Sequence, residues 1–295
     1  MALTRKSRTA MDIFKSNVGC ISTYSKKIDD MLDGGIRLGV MTELCGNPGS
    51  GKSNLCTQLC VSVQVKYGIN SDSTGTAIYI DTEGSFVPIR LQNMAMTADN
   101  HYRNHNQIPM DANSVEHILK NVTYFRCMNV AELIACLIQL KQLMTPERNV
   151  KLIILDSLAH PIRSIIDGDH LTRHKYTVRI VTLLQKLASE HNCAVVVVNH
   201  MIAKVESPRN EAYCAPGNFV ALGDAFGHMS QLRIQLSWKM NKREIRVLKS
   251  PHLPEMSMFF QITDDGIRDI NEDELMDQDE CFGTSQENLH SISNM

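Results

Sequence analysis

The segment Gly46-Asn47-Pro48-Gly49-Ser50-Gly51-Lys52-Ser53 restricts the folds open to this chain more than any other feature. It fits the phosphate-loop pattern G-x-x-x-x-G-K-[ST] without a mismatch. The glycines let backbone N–H groups turn inward around an anion, Lys52 would reach the β- and γ-phosphates, and the Ser53 hydroxyl would coordinate Mg²⁺. A glycine-rich turn before an ordinary helix is the plainer alternative, and the flanks argue against it. Residues 40–45 read as a strand running into the loop, and residues 54–60 continue as a helix with Leu55 and Leu59 on one face. Such a strand–loop–helix aims the positive end of the helix at a bound phosphate. A nucleoside triphosphate is the expected ligand.

Further short β-branched runs alternate with helical patterns along the chain. Strands are expected at 77–80, 122–125, 152–155 and 194–198, with helices near 53–67, 86–104, 130–144 and 171–191. The strands are continuously apolar, as in a parallel sheet covered on both faces. The strand at 77–80 is expected beside the phosphate-loop strand. After residue 230 three closely spaced strands follow, about 231–238, 243–249 and 257–263. A turn at Asn241-Lys242 would make the first two a hairpin that extends the sheet antiparallel. Residues 1–19 read as a linker and 20–270 as the core. The tail 271–295 holds seven acidic residues and no Lys or Arg, and is expected to be disordered.

Composition narrows the function classes. A net charge of −2 supplies no global basic field, so any nucleic-acid site must be a local patch. No apolar run approaches membrane-spanning length, and the start lacks a signal-peptide core, so no membrane role is expected. Arg5, Lys6 and Arg8 form only a short basic cluster. Nine cysteines without framework spacing suit a reducing compartment. The i,i+4 pairs Cys56/Cys60, His101/His105 and His170/His174 read as helix faces rather than zinc ligands.

The remaining chemistry sits at predicted strand ends. Leu152-Ile153-Ile154-Leu155-Asp156 is an apolar strand ending in a carboxylate, which would hold Mg²⁺ opposite Ser53. The next residue is Ser157, so the acid–acid pair of many ATPases is missing. Glu83, in Asp81-Thr82-Glu83-Gly84, is then the candidate base that orients and deprotonates an attacking water. Asn199-His200 ends another strand, where a polar side chain could sense the γ-phosphate or simply cap the strand. Asn241-Lys242-Arg243-Glu244 looks like a guanine-reading motif but ends in Glu at a predicted hairpin, and Asp156-Ser157-Leu158-Ala159 lacks a switch glycine. ATP is expected rather than GTP.

Taken together, Gly46–Ser53, Asp81–Gly84, Leu152–Ser157 and the strand into Asn199 resemble the RecA-type strand-exchange ATPases, over about residues 9–270. A narrower likeness is to the eukaryotic recombinase paralogues of homologous-recombination repair, most closely their C-type branch. It rests on Thr9-Ala10, Asp33-Gly34-Gly35, Asp81–Phe86, Tyr124-Phe125-Arg126-Cys127, Ala221-Leu222-Gly223 with Gly227-His228, Lys249-Ser250-Pro251 and Gly266-Ile267-Arg268-Asp269.

The resemblance implies a RecA-like P-loop ATPase core, a mostly parallel twisted α/β sheet flanked by helices, with ATP and Mg²⁺ as cofactors. It implies a DNA-dependent ATPase in nuclear repair of double-strand breaks, meiotic recombination included. The implied partners are single-stranded or branched DNA, other recombinase paralogues and the strand-exchange recombinase, in a hetero-oligomer. His200 takes the place of the family's γ-phosphate sensor. Arg163, Arg173, Lys175, Lys204 and Arg209 are the basic residues of the matching DNA-binding loops; solvated loop charge is the plainer reading. Lys249-Ser250-Pro251 matches the segment that caps a neighbour's nucleotide.

Three departures stand out. His200 replaces the family's Gln, the match begins without the usual preceding helical domain, and Ser7-Arg8-Thr9-Ala10 lies where the polymerising segment reads Phe-x-x-Ala. Two other readings stay open: an ATP-gated assembly subunit with negligible hydrolysis, or another RecA-like ATPase such as a hexameric helicase.

Overall fold

The computed structural model describes residues 9–11, 19–64, 75–106, 114–165, 170–203, 218–220 and 222–270. Ser7, the acidic stretch 271–295 and most of the segment 1–19 lie outside them. In chain order the elements are β1 (Cys20–Ile21), α1 (Lys26–Met31), β2 (Ile36–Arg37), β3 (Met41–Gly46), α2 (Lys52–Ser62), β4 (Thr76–Asp81), α3 (Pro88–Asn106), α4 (Ser114–Lys120) and β5 (Val122–Arg126). Then come α5 (Val130–Leu143), β6 (Val150–Asp156), α6 (Ala159–Arg163), α7 (His170–His191), β7 (Ala194–Ala203), β8 (Asn218–Val220), α8 (Gly223–Met229), β9 (Leu232–Lys239), β10 (Lys242–Lys249), β11 (Ser257–Thr263) and β12 (Gly266–Asp269).

The main sheet runs β12-β11-β10-β9-β3-β7-β6-β4-β5, with β8 paired to the far end of β7. From β9 to β5 every neighbouring pair is parallel. The expected antiparallel extension is present and begins at β10. Alternation explains the apolar strands. Leu152 and Ile154 of β6, with Val196 and Val198 of β7, join Leu55, Leu59 and Met94 in one core. Ile153 and Leu155, with Val195 and Val197, join Leu133, Leu137, Ile180 and Leu184 in the other. Each such side chain taken out of water contributes about 1.5–3 kcal/mol, so polar residues inside these strands are costly.

Local signals set the boundaries. At α5, Asn129 accepts the Glu132 amide (2.9 Å) while the Glu132 carboxylate accepts the Met128 amide (2.6 Å), a reciprocal cap at the helix start. Helix α2 ends at Ser62, short of the expected residue 67, and the last three expected positions lie outside the described residues. The hairpin turn falls on Met240 and Asn241, one residue earlier than expected. Both have positive φ (49° and 58°), which the two-residue turn needs to match strand twist. Among the described residues no helix is long and apolar enough to cross a membrane.

The sheet order corrects one expectation. Strand β4 is not beside β3; β7 and β6 lie between them. The crossover through α2 therefore skips two positions, later filled by β7 and β6. This places the ends of β6 and β7 between the phosphate loop and the end of β4. Gly46 closes β3 against β9, where an added Cβ would lie 2.2 Å from the Leu236 carbonyl oxygen. Gly46→Ala is expected to cost about 3 kcal/mol, at the upper end of overpacking effects; a urea-unfolding midpoint unchanged from wild type would show that β9 yields freely.

Candidate functional site

The phosphate loop links β3 to α2. Gly49 and Gly51 have φ of 75° and 110°, a region open to glycine but strained for other residues. The Lys52 ammonium donates to the carbonyls of Gly46 (2.9 Å) and Asn47 (2.8 Å). It therefore lies across the mouth of the loop, and burial holds it below the usual lysine range. Ser53 donates its hydroxyl to Asp156 Oδ2 at 2.7 Å, and Tyr79 donates to the same oxygen at 2.8 Å. Burial pushes the Asp156 carboxyl up, against the pull of the two hydroxyls. Two oxygens of the hard kind that Mg²⁺ prefers thus meet beside the loop.

Glu83 is presented by a loop that Asp81 builds. One oxygen of the buried Asp81 accepts the amides of Glu83 (2.9 Å), Gly84 (2.7 Å) and Ser85 (3.3 Å). The other accepts the Phe86 amide (3.1 Å) and the Tyr124 hydroxyl (3.1 Å). Arg126 neutralises the carboxylate from β5 at 3.3 Å. Asp81→Ala is expected to lower stability by about 3 kcal/mol, because an ionic partner and four amides lose their acceptor. Thermal unfolding measures it, and an unchanged midpoint would show that solvent replaces the carboxylate.

The Glu83 carboxylate reaches toward the ends of β6 and β7. Its Oε1 accepts the Ser157 hydroxyl and, at 2.5 Å, the His200 Nε2–H. Chiefly through the His200 hydrogen bond, its pKa falls from 4.5 to about 2. The folded carboxyl thus binds a proton less readily than the unfolded one. Its contribution to stability is present above pH 4.5 and is lost as pH falls toward 2. Urea unfolding of wild type and Glu83→Gln across that window should show the difference between them shrinking with acidity. A constant difference would place the effect elsewhere.

Alternation along β7 separates Asn199 from His200. Asn199 turns inward and donates to the buried Glu43 of β3 at 3.0 Å, which also accepts Arg233 Nε at 2.8 Å and the Ser230 hydroxyl at 3.1 Å. Of these two residues, His200 is the one that reaches Glu83.

The loop cations are placed unequally. Arg163 and Lys175 are exposed, whereas Arg173 is half-buried and donates to the Ile165 carbonyl at 3.1 Å. Lys204 and Arg209 lie outside the described residues. Lys249 donates to the carbonyls of Gly227 (2.9 Å), His228 (3.2 Å) and Ser230 (2.7 Å), completing the end of α8.

Three residues at the site carry roles that sequence motifs do not announce: Asp81 as the loop's acceptor, Tyr79 on Asp156, and Arg90, which ties Asn54 of α2 to the Thr263 and Asp264 carbonyls. A phenol in the middle of an apolar strand is the available signal for Tyr79.

Comparison with known proteins bears on the whole arrangement. Residues 14–270 match the Rad51 family. The chain is 34% identical over 274 residues to "DNA repair protein RAD51 homolog 3" of Cricetulus griseus, a span covering 90% of this chain and 73% of that protein. It is 33% identical over 259 residues to the Dictyostelium discoideum protein of the same name, covering 85% of this chain and 65% of that one. The likeness to a C-type paralogue thus extends through nearly the whole sheet, and the core is RecA-like. A match running from before β1 to beyond β12 makes this chain a member of the Rad51 family.

Proposed function

We propose that this chain binds ATP with Mg²⁺, binds DNA, and serves homologous-recombination repair of double-strand breaks, meiotic recombination included. The observation that carries the reading is the convergence of Lys52 and Ser53, Asp156 and Glu83 at the carboxyl ends of three parallel strands, β3, β6 and β4. The loop amides and Lys52 would hold the phosphates, and Lys52 would exchange its carbonyl partners for β- and γ-phosphate oxygens. Ser53 and Asp156 would hold Mg²⁺, which supplies charge neutralisation to the transferring phosphoryl group. Glu83 would take a proton from the attacking water, and His200 would sense the γ-phosphate. Turnover stimulated by single-stranded DNA is the expected result. No turnover with any DNA would refute the catalytic reading.

One observation favours the second reading, an ATP-gated assembly subunit. Glu83 is held by both His200 and Ser157 and has a pKa of about 2, far below the operating pH that suits a general base. In that reading ATP binding alone would switch association with other recombinase paralogues and the strand-exchange recombinase in the nucleus. Co-purification from nuclei with and without ATP checks it. Partner recovery indifferent to nucleotide would count against gating.

DNA contact is assigned to the loops that follow β6 and β7. Among the described residues, Arg163 on α6 and Lys175 on α7, both following β6, are exposed cations, and Arg173 of α7 donates to the Ile165 carbonyl. Neutralising Arg163 and Lys175 should flatten the salt dependence of single-stranded DNA binding, by about 0.7 in log–log slope for each phosphate left without its cation. Equal slopes in a salt titration would return both to ordinary solvated charge.

A further inference from the structure

Alternation along β9, β10 and β11 sends Leu236, Ile245 and Phe260 into one core, so the residues between them face the other side of the sheet. Register pairs Lys239 with Lys242 and Glu244 with Phe259 there, and Arg246 follows two residues along β10. Lys239 and Arg246 remain 47% and 38% exposed and share the buried Glu244, at 3.5 and 3.8 Å. The exposed Glu255 adds a second acid 4.0 Å from Arg246. Three cations thus meet two carboxylates, one of them at the limit of contact. Beside Glu244, the half-buried Phe259 ring joins neither core. This face is cationic with an aromatic centre.

The chain's own continuation has the opposite pattern. Asp269, Phe260, Arg243 and Trp238 form one row across β12, β11, β10 and β9, so residue 270 stands level with the cations. Residues 271–280 then read Asn-Glu-Asp-Glu-Leu-Met-Asp-Gln-Asp-Glu, with six acids, no cation and an apolar pair, Leu275-Met276, between the acids. Extended, ten residues reach about 33 Å. Crossing from β12 to β9 takes three strand spacings, about 14 Å.

We infer that residues 272–280 fold back across this face, their carboxylates on Lys239, Lys242 and Arg246 and Leu275-Met276 on Phe259. One exposed ion pair contributes little. Here six acids act together, and the short tether holds them at an effective concentration in the millimolar range. That tether favours the chain's own segment over a second copy or a separate acidic partner. The docked segment closes the face to other anions, and salt loosens it. The inference does not depend on the nucleotide or DNA readings.

The test couples the full-length protein with a zero-length carbodiimide, which joins a carboxylate to a lysine amine only where the two touch, and maps the links by mass spectrometry. Links from 272–280 to Lys239 and Lys242 are expected, and high salt should remove most of them. Lys27 is the internal control, since its ammonium bonds the Ile270 carbonyl at 3.1 Å at the root of the segment. Links concentrated at Lys27, or spread evenly over the surface lysines, overturn the inference. So do links that join isotope-labelled to unlabelled copies in a mixture, which would mark docking onto a second molecule. Two variants keep every coupling group. Arg246→Glu and the double change Leu275→Ser with Met276→Ser should each lower the Lys239 and Lys242 links several-fold. The second leaves the sheet untouched, so unchanged links in it overturn the docking on Phe259 whatever Arg246→Glu does to folding.

Discussion

Glu83→Gln is expected to lower ATP turnover by about 10²–10⁴-fold, the usual contribution of a positioned general base, while ATP binding survives. The amide keeps the side chain's shape and can still accept from Ser157 and His200 through its oxygen, so the loop built by Asp81 should stay folded. What it loses is the capacity to take a proton from water. Single-turnover phosphate release, paired with equilibrium binding of a fluorescent ATP analogue, separates the two effects. Wild-type turnover in the variant would move the base to another residue. If the protein works by ATP-gated assembly, the same variant should recover partners as well as wild type does.

Lys52→Ala has the second large effect. A hydrogen bond to a charged group contributes about 1.5–3 kcal/mol, so ATP affinity should fall roughly 10- to 150-fold on that account alone. The structure adds a second cost, since the ammonium also bonds the carbonyls of Gly46 and Asn47 and so shapes the loop. Lys52→Arg keeps a charge at this place but not a compact one, and is expected to bind ATP while closing poorly around it. Unchanged affinity for the fluorescent analogue in Lys52→Ala would remove the loop from the nucleotide site.

Much of the fold is legible in the sequence because the strands are apolar on both faces. Such runs mark buried parallel strands, and those expected near 77, 122, 152 and 194 coincide with β4 to β7. Strand order is not legible in the same way. Periodicity reports what each residue faces, and says nothing of which strand lies beside which. Hence β4, expected next to β3, lies two places further along the sheet. The small elements α1, α4, α6 and α8 do not show in the pattern because each is only five to seven residues long, too short for a helical period to emerge.

At the candidate site, Lys52, Ser53, Asp156 and Glu83 are readable from sequence because motifs fix chemical identity at fixed spacing. The bond between His200 and Glu83 joins residues 117 positions apart, and no local pattern could announce it. Asp81 is visible only as part of a motif. Its work depends on four following amides turning back upon it, which is a property of the folded loop. Arg173 shows the opposite failure: counted among loop cations by type, it spends its guanidinium on the Ile165 carbonyl.

The interposition of β7 and β6 between β3 and β4 has a consequence for how the chain matures. Ser53 meets Asp156 across 103 positions, and Glu83 meets His200 across 117. A nascent chain therefore exposes its phosphate loop long before the groups that complete the site have been synthesised. Pairings of such separation form late and slowly, since distant segments must be brought together before any of them is rewarded. A ligand that needs all four strand ends stabilises only the finished sheet and no partly assembled one. Nucleotide, once bound, would act as a late checkpoint on folding, pulling toward completion only those chains in which β7 has already inserted beside β3.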